Sequence, residues 1–442
     1  MLDTQKNTFQ ALASFEEKIV RRYRMIFSIE EIEQQPIVQW AFGALLLGFF
    51  VTFYGWINSS AISLSSAASG TATCWPYFQH CETLFFLETL PYYSQTTLYA
   101  ILFCIMILAV YFMYRRQWVY VHMNILALYI WKFVVMFILS ASLAANFDYY
   151  DIVIGAILLF FPYKEVFAKL AFVVLYFLAG TVKIHEGWIT GSYFTTLVGS
   201  MPWVPNALAP FAANAVIGAE IAGSWFLLAR RPRVQRAALI FFIFFHFYSI
   251  ILVGYRYPSS TLTMLLVLFG PLYHYSQPPS FNRKTLVGWL FIALLFTCQF
   301  LPKIVYGDQR WTLEANQYGL NMFEANHQCR SEILYETKGN KQITETYESR
   351  RALDRCNPYR QWLRIHTYCE SGEVRKARWT FDHSINGHPF YRIVDVVDAC
   401  GLAYKPLSHN PWILIPGETA QAMGRPLKDP YDNPKYIYDL GR

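Results

Sequence analysis

The sequence predicts a polytopic α-helical membrane protein of about nine spans, with a C-terminal extracytoplasmic mixed α/β domain. Three observations predict it. Of 442 residues, 55% are hydrophobic and only 15% charged, and the apolar residues gather in long runs that soluble domains do not sustain. Lysine and arginine are dense in alternate connections between those runs, as membrane topology requires. Beyond about residue 302 the chain turns polar, with strand-like alternation and tight-turn signals.

Residues 1–36 form a polar cytoplasmic segment of mixed charge with no cleavable signal pattern, so the first apolar run would itself direct insertion. The spans fall at 37–57, 98–114, about 118–143, 151–161, about 166–182, 211–229, 237–255, about 260–275 and 285–301, which makes 37–302 the membrane domain. The fourth is short for a hydrocarbon core of about 30 Å, which takes roughly 20 helical residues. It reads as re-entrant or tilted.

With the N-terminus in the cytoplasm, the inside connections carry Arg21, Arg22, Arg24, Arg115, Arg116, Lys164, Lys169, the run "RRPRVQR" at 230–236, Arg283 and Lys284. The outside loops 58–97, 143–150 and 185–210 carry none, and Lys183 stands at a helix edge. That asymmetry places the tail outside the cytoplasm.

The tail, 303–442, alternates around Asn386-Gly387 in "ARWTFDHSINGHPFYRIVD" and around Gly339-Asn340 in "SEILYETKGNKQITETY". Asn-Gly between alternating apolar residues signals a type I′ hairpin, and the length suffices for one small core. Six of the eight cysteines lie on this side: Cys74, Cys81, Cys329, Cys356, Cys369 and Cys400. An even number in an oxidising compartment predicts disulfides, with pairing left open.

The net charge of +7 follows membrane topology and does not point to nucleic acid. No phosphate-binding loop, dinucleotide fingerprint, HExxH or CxxC occurs, which argues against an ATPase, a Rossmann enzyme and a thioredoxin-like protein. His122, His327, His366, His383 and His388 are scattered in sequence, and no metal site is expected.

Ionisable groups within spans carry the functional information, because each is costly there. Lys183 ends the fifth span in "GTVKIHEGW" (180–188), next to Trp188. One reading is an interfacial lysine snorkelling to water beside an aromatic anchor. The other is an amine in a dry cavity, usable as a base. Glu220 and Lys132 lie mid-span at comparable depth with opposite charge, and a buried pair between them is expected. Arg256, near the outer end of the seventh span, either holds a carbonyl or carboxylate or meets water. His246, among phenylalanines, is a packing histidine or a cavity residue.

The stretch "YFLAGTVKIHEGWITGSYFTTLVGSMPW" (176–203) resembles the signature of the vitamin K-dependent gamma-glutamyl carboxylases and their bacterial relatives, the horizontally transferred transmembrane domain group. "GAEIAGSWFLL" (218–228), "FFHFYS" (244–249) and "CWPYFQHCETLFFLETLP" (74–91) resemble neighbouring parts of that family, and the tail segments 319–335 and 381–399 resemble its luminal region.

The resemblance implies a lysine base that deprotonates reduced vitamin K or menaquinol. Dioxygen then adds to the hydroquinone anion, the basic product removes a glutamate γ-proton, and CO2 traps the carbanion. The quinone leaves as its epoxide. Lys183 matches the base and His246 a histidine near the reacting ring; both are catalytic candidates. Glu220, Arg256 and Trp188 are candidates for substrate binding.

The sequence departs from the family in three places. No histidine occurs in 158–169, no arginine in the first span, and Val182 replaces a second lysine. These bear on carboxylation more than on quinol oxidation. The implied partners are the lipid bilayer, an isoprenoid quinone and a Glu-containing peptide or protein; the expected location is a bacterial inner membrane. Two alternatives stay open. One is a quinol epoxidase or oxidoreductase without carboxylation; the other is a non-enzymatic membrane protein that binds a secreted partner.

Overall fold

The computed structural model describes residues 17–57, 74–80, 92–136, 146–196, 201–305, 308–315, 318–321, 325–349 and 356–424. The apolar runs fold as helices: α1 (Ile29–Gln34), α2 (Pro36–Ile57), α3 (Tyr92–Tyr114), α4 (Trp118–Val134), α5 (Asn146–Phe160), α6 (Lys164–Val182), α7 (Ala209–Ile221), α8 (Pro232–Val253), α9 (Arg256–Phe269) and α10 (Leu286–Val305). Pro36 and Pro232 stand in first turns, where the missing N–H costs nothing. Between α8 and α9 the chain turns at Gly254, whose φ of 81° would strain any residue with a Cβ.

Among the described residues, five helical segments are long and apolar enough to cross a membrane: Pro36–Trp56, Thr97–Tyr114, Lys164–Val182, Pro232–Leu252 and Leu286–Ile304. At the third, fourth, sixth and eighth expected spans stand helices of 17, 15, 13 and 14 residues. At 1.5 Å per residue these reach only about 20–26 Å. The end of the third expected span, 137–143, lies outside the described residues. The sixth is broken because α7 stops at Ile221 and the chain continues in tighter 3₁₀ turns over Gly223–Leu228. The eighth stops at Gly270-Pro271, which no α-helix continues through.

Helix α6 is the axis of the bundle. Of its apolar window 78% is buried, against 22% for Thr97–Tyr114 and 28% for each of the α8 and α10 windows. Those three therefore present apolar faces outward, while α6 is enclosed. Gly180 lets α7 come close to α6: a Cβ there would stand 3.0 Å from Glu220 Cβ and 3.2 Å from the Ile221 nitrogen.

The tail forms an antiparallel sheet of five strands: β1 (His327–Thr337), β2 (Gln342–Ser349), β3 (Val374–Ile385), β4 (Phe390–Val396) and β5 (Gln421–Gly424), in the order β2-β1-β3-β4-β5. Both expected turns are present. Asn386 and Gly387 have φ of 48° and 75°, the two positive values a type I′ turn requires. Asn340, with φ of 58°, sits in the β1–β2 turn.

Helix α11 (Pro358–Glu370), capped by the Asn357 side chain on the Tyr359 N–H, buries Tyr359, Trp362, Leu363 and Ile365 against the sheet. Disulfides Cys329–Cys356 and Cys369–Cys400 tie the two ends of this helix region to the sheet domain. Cys74 is also disulfide-bonded, and Cys81 lies outside the described residues. Cys104 and Cys298 are free thiols.

Two connections of the helical bundle rest on the sheet domain. In 74–80, the Cys74 carbonyl accepts from Tyr359 Oη at 2.9 Å, and Gln79 Nε2 donates to the Tyr404 carbonyl at 3.0 Å. In 185–196, the Tyr193 carbonyl accepts from Asn326 Nδ2 at 2.5 Å. The C-terminal ends of α2, α6 and α10 thus lead to the same end of the molecule.

Candidate functional site

Lys183 follows directly on α6, the most enclosed helix. Its Nζ forms an ion pair with Glu220 Oε2 of α7, and the two side chains are only 2% and 1% exposed. A snorkelling lysine would reach water; this one turns inward, at the close α6–α7 crossing that Gly180 allows. Above the amine lies the Trp188 ring, its centroid 5.3 Å from Nζ, a cation–π contact. Trp188 in turn stacks on Tyr193 at 5.4 Å and meets the edge of Phe194 at 4.8 Å.

This aromatic platform is built from two single helical turns, Glu186–Ile189 and Ser192–Thr195, joined through Gly191 at φ of 75°. The β3–β4 hairpin docks on it. Asn326 Nδ2 donates to the Tyr193 carbonyl and, at 3.1 Å, to Thr196 Oγ1. Asn386 Oδ1 accepts from the Asn326 N–H at 2.9 Å, and a Cβ on Gly187 would stand 2.4 Å from Asn386 Nδ2. The sheet domain therefore roofs the lysine through a glycine contact with no room to spare.

Below the ion pair lies a second polar layer. Tyr176 stands two turns, about 10 Å, back along α6 from Lys183. Its hydroxyl bonds His246 Nε2 of α8. His246 Nδ1 faces Thr261 Oγ1 at 3.4 Å, and that hydroxyl donates its own proton to the Tyr257 carbonyl at 2.9 Å. Thr261 can then only accept from the ring, so the proton belongs on Nδ1 and Nε2 accepts from Tyr176. Tyr150 of α5 and Tyr257 of α9 close the layer: Tyr150 lies 6.2 Å from the Tyr176 ring and 6.3 Å from the Tyr257 ring.

Lys183, Glu220 and Trp188 are thus brought into direct contact. His246 instead bonds Tyr176, one layer below. Arg256 does not join them. It is exposed at the start of α9, with its guanidinium against Gly55 of α2, and its neighbour Tyr257 faces the site instead. The expected Lys132–Glu220 pair is not made. Lys132 Nζ lies 2.6 Å from Asp151 Oδ2, 2.9 Å from Asp148 Oδ1 and 2.9 Å from Thr52 Oγ1. Depth alone suggested the pairing, but α4 directs Lys132 towards α2 and α5, away from α7.

Sequence reasoning missed Tyr150, Tyr176 and Tyr257. A tyrosine within an apolar run needs a partner for its hydroxyl, but among 31 tyrosines that signal does not single out three. It also read the histidines as scattered, whereas His327 Nδ1 and His383 Nε2 meet at 3.0 Å in the sheet domain. Among the described residues no group of three or more histidine, cysteine, aspartate or glutamate side chains could hold a metal ion.

No family model matches the chain, and neither a curated protein nor a solved structure shows significant similarity to it. The Lys183–Glu220 pair can hold its shared proton on nitrogen or on oxygen in a medium that excludes water, which sharpens electrostatic effects. Glu220 Oε2 is engaged by Lys183, while Glu220 Oε1 is buried without a hydrogen-bond partner. A buried polar atom left unmet is costly, and an acceptor of this kind suits a hydroxyl donor.

Proposed function

We propose that the chain is a quinol-oxidising membrane enzyme of the vitamin K-dependent gamma-glutamyl carboxylase kind, with Lys183 as its base. The buried Lys183–Glu220 pair, with Glu220 Oε1 open to a hydroxyl donor, carries the reading. A hydroquinone hydroxyl would donate to Oε1 and lie beside the amine. With the shared proton on Glu220, the Lys183 amine is neutral and takes the phenolic proton; the hydroquinone anion left behind then balances the ammonium formed. Trp188 keeps water from the amine. The reduced quinone supplies the electrons: hydroquinone and dioxygen give epoxide and water, with the proton held by Lys183 ending in that water. Coupled carboxylation would replace one glutamate γ-hydrogen with a carboxylate from CO2 and release a proton.

The finer topology belongs to the same proposal. Nine crossings, a cytoplasmic N-terminus and an extracytoplasmic sheet domain in a bacterial inner membrane are supported by the basic connections. Residues 115–116, 164–169, 230–236 and 283–284 lie at helix ends opposite those that lead to the sheet domain. The version without carboxylation has its own support: a peptide glutamate from that side would have to pass the Trp188, Tyr193 and Phe194 platform.

One experiment tests the proposal. Purified protein receives reduced vitamin K or menaquinol, dioxygen, labelled bicarbonate and a Glu-rich peptide, alongside Lys183→Ala. Epoxide and labelled peptide, both lost in the variant, support the full reaction. Epoxide alone supports quinol oxidation without carboxylation. If folded wild-type protein makes neither product, the enzymatic reading is wrong.

A further inference from the structure

At the start of α8, at the end of the bundle away from the sheet domain, unpaired positive charge borders an apolar groove. Arg230, Arg231, Arg233 and Arg236 are all exposed. Among the described residues no acidic side chain pairs with any of them. Arg230 lies over the Tyr275 ring, 4.8 Å from its centroid. Beside them the 3₁₀ segment and α8 enclose a groove of about 490 Å³, within the roughly 300–1,000 Å³ of ligand sites. Arg233 lines it, and the rest of the lining is apolar. Small residues open this groove. Where α7 stops at Ile221 and the tighter turns begin, Ala219 and Gly223 line it together with Ala237 and Phe241 of α8. A Cβ on Gly223 would meet only Ala219 Cβ, at 3.7 Å. From Arg233 to the buried Phe242 the groove follows α8 for about 14 Å, at 1.5 Å per residue.

We infer that this groove binds an anionic phospholipid, with an acyl chain along the trough and the headgroup phosphate on Arg233. Basic pockets at the ends of membrane helices hold such headgroups. A guanidinium meets phosphate through two parallel N–H···O bonds. The positive end of α8, whose N-cap Arg231 supplies no side-chain cap, favours the same charge. The chain itself gains little from the trough, because the bilayer is equally apolar. Selectivity therefore lies in the headgroup, and the trough fixes the lipid so that its phosphate stays at Arg233. A free phosphate has no use for the trough, and a zwitterionic lipid brings its own cation to four arginines. The site is separate from Lys183: Ala219 lines the groove, while its neighbour Glu220 turns inward to the amine.

The test is lipid retention. Full-length protein in mild detergent is mixed with equal amounts of palmitoyl-oleoyl phosphatidylglycerol and phosphatidylcholine, and bound lipid is counted by native mass spectrometry. Phosphatidylglycerol should be favoured about fivefold or more. Arg233→Gln should lower that preference about fivefold, the effect of one arginine near a charged headgroup. Gly223→Leu and, from the other wall, Ala237→Leu fill the trough and should each reduce the phosphatidylglycerol retained. Arg115→Gln is the control: an exposed arginine just past the end of α3, it should bind as wild type does. Inorganic phosphate should not displace the lipid. Without added lipid, Arg233→Gln should melt as wild type does, because it breaks no ion pair.

Equal retention of the two lipids overturns the inference. So does an Arg233→Gln protein that keeps its preference, or a loss that Arg115→Gln matches, since charge spread over the membrane surface then accounts for it. If both trough-filling variants hold phosphatidylglycerol as wild type does, the groove is not the site. Displacement by inorganic phosphate replaces the lipid with a soluble anion and overturns the inference as well.

Discussion

Replacing Lys183 by methionine should destabilise the protein in a pH-dependent way that only a buried charge pair produces. The change leaves Glu220 alone at 1% exposure. Removing one partner of a buried pair costs about 3–5 kcal/mol. A second route gives the same size. A carboxylate left alone there escapes by taking a proton from solvent. For an ordinary carboxyl, protonation at pH 7 costs about 1.4 kcal/mol for each pH unit above a reference value near 4.3, or about 3.7 kcal/mol. At pH 5 the same escape costs only about 1 kcal/mol.

The loss from Lys183→Met should therefore shrink about fourfold between pH 7 and pH 5. Glu220→Gln leaves a lone amine, so its loss should shrink in the opposite direction, as pH rises. The double variant removes both charges and should lie within about 1–2 kcal/mol of wild type, since replacing a whole buried pair is often neutral. Unfolding titrations in mixed micelles at pH 5, 7 and 9 would measure all four proteins. Losses that add in the double variant, or that do not vary with pH, would refute the buried pair.

Three further outcomes are expected. Lys132→Met should cost about 3–5 kcal/mol by leaving Asp148 and Asp151 facing each other, while Asp148→Asn keeps one carboxylate on the lysine and should cost less than about 1.5 kcal/mol; the same titrations compare them. Gly187→Ala drives a Cβ towards Asn386 Nδ2 at 2.4 Å and should cost about 1–3 kcal/mol, with hydrogen exchange rising at Asn326 and Tyr193. Adding Asn386→Gly, which keeps the positive φ, should restore protection at Tyr193 but not at Asn326, whose N–H loses its Asn386 Oδ1 acceptor. His383 is held well below the usual histidine range, by burial first and by His327 second, against an opposing bond to the Trp311 carbonyl. Its contribution to stability is complete above about pH 6.5 and is lost as pH falls, by up to about 1.4 kcal/mol per pH unit. His383→Gln should flatten that slope in thermal melts between pH 4.5 and 7.5.

The amino-acid order alone determined which stretches are helices in an apolar medium, where the polar domain begins and where its hairpins turn. Those features depend on local composition. The α6 run is apolar throughout, and Asn386-Gly387 allows a backbone that few other pairs adopt. The sequence also placed Lys183 and Trp188 together, five residues apart. It did not determine which charge Lys183 meets, because Glu220 is 37 residues away and the choice between Lys132 and Lys183 depends on how helices are rotated about their axes. Nor did it single out Tyr150, Tyr176 and Tyr257, which lie on α5, α6 and α9 and resemble the chain's other tyrosines until packed. Tertiary structure decided these because hydropathy reports depth and length along one helix, whereas an ion pair or a cluster of tyrosines depends on which faces of several helices meet.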